Sequence, residues 1–265
     1  MTLTVTLVGG PTAVLDLDGF RIVTDPTFDP PGEYRQEGAP ITLVKTAGPA
    51  FSPGDIAPVH LVLASHEHDD NLDHAGRKFL ASSARAFTTP DAAAKFGDHV
   101  TGLADYESAT VARPDGKVLT VTAVPAQHGP EAVSQQGGPV AGFVLSGEDC
   151  PRIYVSGDNA SVDVVAEIEE NCGPIDVAVL FAGGAGFKEL ADGADLTLGN
   201  DAALEASKIL AGAVIIPVHA DSWAHFRQTT AQMRELFEAD GSGDRLLVLK
   251  PGETATVPQA GVLAG

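Results

Sequence analysis

Ser65-His66-Glu67-His68-Asp69-Asp70-Asn71-Leu72-Asp73 is the stretch on which the reading of this chain turns. It follows an apolar run, His60 to Ala64 (HLVLA), and precedes a short predicted helix. An apolar run that stops abruptly at His-x-His-x-Asp reads as a strand delivering polar groups to its C-terminal edge. Residues i and i+2 of a strand point the same way, so His66 and His68 can converge on one ion. Imidazole suits zinc and iron, and an aspartate close behind can bind the same ion or a neighbouring one.

Outward from this stretch, the same pattern repeats three times. His128 follows the strand-like run Val118 to Ala126, Asp158 follows RIYVSG, and His219 follows AVIIPV. Polar groups at strand exits are where α/β folds assemble sites, and these four exits are expected side by side. Between them, Leu3–Val8, Ala13–Leu17 and Arg21–Thr24 read as a meander, with Asp18-Gly19 as a hairpin turn. A Pro/Gly-rich loop is expected from Asp25-Pro26 to about Pro58, a length that in compact domains commonly walls a site. Further strands are predicted at Ala84–Thr88, Glu107–Ala112, Lys117–Pro125, Val140–Ser146, Arg152–Ser156, Ile175–Phe181, Ala213–Val218, Arg245–Leu249 and Thr254–Val257. Helices are predicted from Pro90 to Phe96, capped by Thr89, and at Val162–Glu170, Asn200–Leu210 and Thr230–Ala239. No repeat or linker interrupts the pattern, so one α/β domain spanning residues 1–265 is expected, with two sheets covered by helices.

Composition narrows the function. The hydrophobic fraction of 44% over 265 residues supports a sizeable core. Sixteen Lys plus Arg against 36 Asp plus Glu give a formal charge of -20. That field disfavours nucleic acid and anionic membrane surfaces as partners and favours metal cations. Two scattered cysteines, Cys150 and Cys172, form no zinc or redox motif and fit a reducing cytoplasm. The N-terminus lacks the charged and apolar regions of a signal peptide, and no apolar run approaches a membrane span.

The order His-x-His-x-Asp, lone His, Asp in Ser-Gly-Asp, then His after an apolar strand resembles the metallo-β-lactamase superfamily. The resemblance runs from about Leu3 to His225 and includes Asp25-Pro26. The segments Ser65–Asp73, Phe181-Ala182-Gly183-Gly184, Thr197–Ala206 and Pro217-Val218-His219 look most like its ascorbate-phosphate lactonase branch. The resemblance implies a four-layer αββα sandwich with a metal site at one edge. It also implies that His66, His68 and His128 hold a first metal, that Asp158 bridges, and that Asp70 and His219 hold a second. Zn²⁺ is the implied ion. Three imidazoles would leave an open position for water, whose pKa falls near 7 on the ion; Asp70 would orient that water or take a proton.

One position departs from the pattern: where most members carry a His after the motif Asp, this chain has Asn71. An amide oxygen is a weak ligand. The site is then mononuclear, or its second ion is held weakly or is a harder one such as Mn²⁺ or iron, or a nearby group substitutes. His74 is the nearest candidate but is expected to open a surface helix. Trp223 and His225 lie on the loop after the last site strand, and substrate contact and simple packing are equally open for them. Gly183-Gly184-Ala185-Gly186 reads as a turn, without the Lys-Ser/Thr of a phosphate loop. The expectation is a metal-dependent hydrolase of an ester, lactone or phosphodiester in a small molecule. The alternatives are a metal-binding sensor or scaffold without turnover, and di-iron redox chemistry. Self-association into a homo-oligomer stays open.

Overall fold

The computed structural model describes residues 1–35 and 41–258. The chain opens as the expected antiparallel meander: β1 (Leu3–Gly9), β2 (Thr12–Leu17) and β3 (Phe20–Thr24). Asp18 and Gly19 turn β2 into β3 with φ of 50° and 93°, the positive pair that a tight two-residue hairpin turn requires. The chain then leaves the sheet for a small hairpin, β4 (Gly32–Arg35) with β5 (Thr42–Lys45). This hairpin lies inside the segment expected to be an irregular loop. Four-residue strands that bury only one or two side chains each carry too little periodicity to be read from sequence.

β6 (Leu61–Leu63) returns beside β3 in parallel. After the motif come α1 (His74–Ser82), β7 (Ala86–Thr88), α2 (Pro90–Ala93) and β8 (Val100–Gly102). Thr89 caps α2 as expected, but the helix ends at Ala93 rather than Phe96. The second sheet is built from β9 (Ser108–Ala112), β10 (Val118–Pro125), β11 (Ala141–Gly147), β12 (Cys150–Val155), β13 (Val177–Phe181) and β14 (Val214–Val218). Between and after these strands lie α3 (Glu131–Gly137), α4 (Val162–Cys172), α5 (Asn200–Ile209) and α6 (Thr230–Asp240). The last described strand, β15 (Thr254–Thr256), crosses back to pair with β1.

The sheets have the orders β15-β1-β2-β3-β6-β7-β8 and β14-β13-β12-β11-β10-β9. They pack face to face. Val5, Leu15, Ile22 and Leu63 from one meet Val121, Phe143, Ile153 and Ile216 from the other. Strand alternation supplies the outer layers. In β13, Val177, Val179 and Phe181 face the other sheet, while Ala178 and Leu180 face Val165 of α4, Ala203 of α5 and Phe237 of α6. Leu80 of α1 covers Val62 and Ala86 on the far side. The four layers follow because both faces of both sheets carry apolar residues.

Two expectations need correction. The strands delivering polar groups are not side by side. β10, β12 and β14 alternate with β11 and β13 in one sheet, and β6 belongs to the other. β10, β12 and β14 run the same way, so their ends share one edge, and Ala141 N–H donates to Ser65 O (3.0 Å) where the sheets meet there. The strand expected over Arg245–Leu249 is a 3₁₀ turn, Gly243–Arg245, followed by one bridge from Leu246 to Ile215. Among the described residues no helix is long and apolar enough to cross a membrane.

Candidate metal centre

The first cluster forms where β6 ends. His66 Nε2 lies 2.9 Å from His68 Nδ1, and His128 joins them, with one ring nitrogen of each within 4.8 Å of the others. Each ring is aimed by a partner on its far side. Ser65 Oγ is 2.8 Å from His66 Nδ1, and His128 Nδ1 donates to Leu196 O at 2.8 Å. His68 is tied to the Gly137 backbone at the end of α3. Such outer hydrogen bonds fix tautomer and ring orientation, leaving one nitrogen of each ring for an ion.

Asp158 stands behind this cluster. Its Oδ2 is 3.8 Å from His66 Nε2 and 3.7 Å from His128 Nδ1, and its Oδ1 is 3.4 Å from His219 Nε2. The Ser156-Gly157-Asp158 turn needs its glycine. Gly157 has φ +57°, and a Cβ there would lie 2.6 Å from Ala141 O and 2.9 Å from Ser65 Cβ. Asn159 locks the turn to the exit of β10 by accepting from Gln127 N–H at 3.1 Å. His219 follows β14 in the left-handed region, φ 55°, with its N–H donating to Gly10 O at 2.8 Å. Non-glycine residues held there cost about 1–3 kcal/mol, a strain typical of functional positions.

A second cluster joins Asp70, His219 and His225, all buried. His225 Nε2 is 3.0 Å and His219 Nε2 is 3.7 Å from Asp70 Oδ2. Asn71 does not stand idle: its Nδ2 donates to Asp158 Oδ1 at 3.1 Å. His225 was expected to contact substrate or simply to pack, not to join the acidic cluster. The signal that it belongs with Asp70 was long-range, and nothing in its local sequence marked it. Trp223 is buried under the β4–β5 hairpin, with its ring 5.4 Å from that of Tyr34 and the Lys45 ammonium 5.4 Å from its centroid. His74 opens α1 at the surface as expected, 3.2 Å from Asp29 Oδ2. His60 accepts from Arg21 N–H and His99 lies by Leu80 O, so both are outside the site.

Charge separates the two clusters. Burial, and then His68, hold the His66 imidazole well below its usual range; burial, and then His128, lower His68. Both are therefore neutral at pH 7, the form that ligates. At His219 burial also acts to lower the pKa, but Asp158, Asp70 and Asp25 outweigh it and raise it. For Asp158, burial pushes upward, yet His219, His128 and His66 bring the carboxyl well below the usual range. Asp70 is lowered likewise against burial, by His225 and then His219. Asp25 goes the other way. Burial raises it to about 8, with Asp158 adding to the rise, although Ser65 N–H (2.7 Å) and Oγ (2.8 Å) both donate to its Oδ1.

The motif turn is anchored from below. Asp73 accepts from Phe28 N–H (3.0 Å), Asp29 N–H (2.7 Å) and Gly76 N–H (2.8 Å), and forms a buried ion pair with Lys45 Nζ at 2.8 Å. Beside His225 opens a cleft of about 250 Å³, lined by Thr42 and Val44 of β5 and by Phe187, Lys188 and Glu189. Arg227, close in sequence, is committed to Asp195 and to the Gly184 and Gly193 carbonyls. Three imidazoles backed by a carboxylate are a donor set for a divalent cation, and the cleft lies on the side of the second cluster, at His225.

Residues 20–220 match the family model described as the beta-lactamase superfamily domain. Among curated proteins the chain is similar to a UPF0173 metal-dependent hydrolase of Pyrococcus abyssi, 28% identical over 205 residues, covering 76% of this chain and 83% of the relative. Another UPF0173 metal-dependent hydrolase, from Pelotomaculum thermopropionicum, is 30% identical over 202 residues, covering 73% and 81%. Among solved structures, the isothiocyanate hydrolase from Delia radicum gut bacteria shares the fold with a TM-score of 0.78 at 23% identity, covering 95% of this chain and 98% of that one.

Proposed function

The chain belongs to the metallo-β-lactamase superfamily, and on that premise we propose that it is a metal-dependent hydrolase opening an ester or lactone in a small molecule. One observation carries the reading: His66, His68 and His128 converge with every ring aimed from behind and Asp158 alongside. The donor set fits a borderline cation, and we assign Zn²⁺ to it. Such a cation, when bound, supplies Lewis acidity and brings water to a pKa near 7.

The chain's own residues do the rest. His66, His68 and His128 would hold the cation, and three imidazoles leave a fourth tetrahedral position for water. Asp70 is ionised, held low by His225 and His219 after burial's opposing push, and so is a poor proton acceptor at neutral pH. Its part is to orient the attacking water. Phe187 and Val44 give the substrate an apolar wall, and Lys188 is the cation of the cleft lining. With Arg227 already paired, so little positive charge supports a neutral or singly charged ester over a phosphodiester. The free thiols Cys150 and Cys172 are in keeping with work in a reducing cytoplasm.

The test is hydrolysis of lactone, ester and phosphodiester model substrates by the zinc-loaded chain. Turnover of a lactone or ester is expected, and replacing His66 with Ala should bring it to the background rate. Turnover that survives chelation would overturn the metal reading. Turnover of the phosphodiester alone would overturn the substrate class.

A further inference from the structure

We propose that His225 is a metal ligand, and that Asp70, Asp158, His219 and His225 together hold a second divalent cation, with the Asn71 amide N–H positioning Asp158. The inference rests on the reading of this edge as a metal centre and extends it to a residue on a different loop. The geometry comes first. Bonds of about 2.0–2.1 Å to a tetrahedral ion set neighbouring donor atoms about 3.3–3.5 Å apart. The separations of 3.0 Å (His225 Nε2 to Asp70 Oδ2), 3.4 Å (His219 Nε2 to Asp158 Oδ1) and 3.7 Å (His219 Nε2 to Asp70 Oδ2) bracket that span.

Unmet bonding points the same way. Both ring nitrogens of His219, both of His225, Asp158 Oδ2 and Asn71 Oδ1 are buried without a well-aligned hydrogen-bond partner, the 3.0 Å approach of His225 Nε2 to Asp70 Oδ2 included. Buried polar atoms are nearly always paired, because each left unpaired costs about 1–3 kcal/mol. Of these, His219 Nε2 and His225 Nε2 face the oxygens of Asp70 and Asp158, and with both imidazoles nine-tenths or more buried they are donors turned toward a shared acceptor of lone pairs. Two imidazoles and two carboxylates are a donor set for Zn²⁺ or Mn²⁺, and the two negative charges balance a dication.

His225 is also held as a ligand must be. Its ring stacks on Phe187 with centroids 5.0 Å apart and touches Phe226 at 4.6 Å. Its carbonyl accepts from Gly186 N–H at 3.1 Å. Asn71, by contrast, spends its amide N–H on Asp158 Oδ1, which turns the carboxylate between the two clusters.

The experiment counts ions without substrate. The chelator-stripped chain is titrated with Zn²⁺, and bound metal is measured by mass spectrometry after gel filtration. The wild type should hold two ions, and His225→Ala should keep the first and lose the second, with its affinity down at least ~100-fold. In the wild type, the assigned His225 imidazole nitrogen signals should move with the second equivalent of Zn²⁺, a readout that does not depend on the variant folding. One ion in the wild type, two in His225→Ala, or His225 signals indifferent to the second equivalent would each overturn the inference. Two ions with no turnover on any substrate would sink the hydrolase reading and leave this one standing.

Discussion

Asp25 is a carboxyl whose burial raises it to about 8, against the two donors from Ser65 and with help from Asp158. Its unfolded value is the ordinary one near 3.8, so between those limits the folded chain keeps a proton that the unfolded chain has released. Stability contributed by this group therefore falls as pH rises through that window, by at most about 1.4 kcal/mol per pH unit. Asp25→Asn retains an acceptor for Ser65 and removes the titration. In the metal-stripped protein, urea unfolding from pH 5 to pH 7.5 should show the variant gaining on the wild type by about 1 kcal/mol per pH unit. A gap that stays constant would refute the protonated state. Residues such as His66, His128, Asp158 and His219 were legible in sequence because each ends an apolar run. The state of Asp25 and the placement of His225 were not, since both depend on groups brought near by folding: Ser65, 40 residues away, and Asp70, on the motif turn.

At the level of elements, the small hairpin matters more than its size suggests. Lys45 on β5 reaches Asp73, the residue that caps α1 and anchors the motif turn. The same hairpin grips the loop that carries His225: Thr46 N–H donates to Ser222 O at 2.7 Å, and Ala224 N–H to Val44 O at 2.9 Å. One two-stranded piece thus sets both halves of the centre. Lys45→Met should cost about 3 kcal/mol, because it leaves a buried carboxylate short of its counter-charge. Urea midpoints at pH 7 measure this, and a loss under about 1 kcal/mol would mean that the three backbone donors suffice. The long strands and the helices after β12 were readable from apolar runs and composition. The hairpin was not. Its strands exist through Tyr34, Leu43 and Trp223 packing together, and that contact joins residues nearly 200 positions apart.

Over the whole molecule, a formal charge of -20 raises the local concentration of cations around a centre that buries its donors. A cation that binds only the folded chain, at 100 times its dissociation constant, stabilises it by about 2.7 kcal/mol. For a chain of this size that is on the order of 5–10 °C in Tm. Calorimetry before and after chelation should show that drop, and the drop should be smaller in His66→Ala, which keeps only the donors of the second cluster. Identical melting curves with and without chelator would contradict a metal-stabilised fold.

The pairing of β1 with β15 has a consequence for how the molecule is made. Thr4 pairs with Thr256, so β1 waits some 250 residues of synthesis for its outer neighbour. Until then β1 presents an open backbone edge, the kind that recruits a second nascent chain. Loop closure over such a span is slow, which puts completion of the seven-stranded sheet after synthesis of β15. Yield in a fast-translating host should therefore be limited by edge-to-edge aggregation during synthesis, and slower elongation should relieve it.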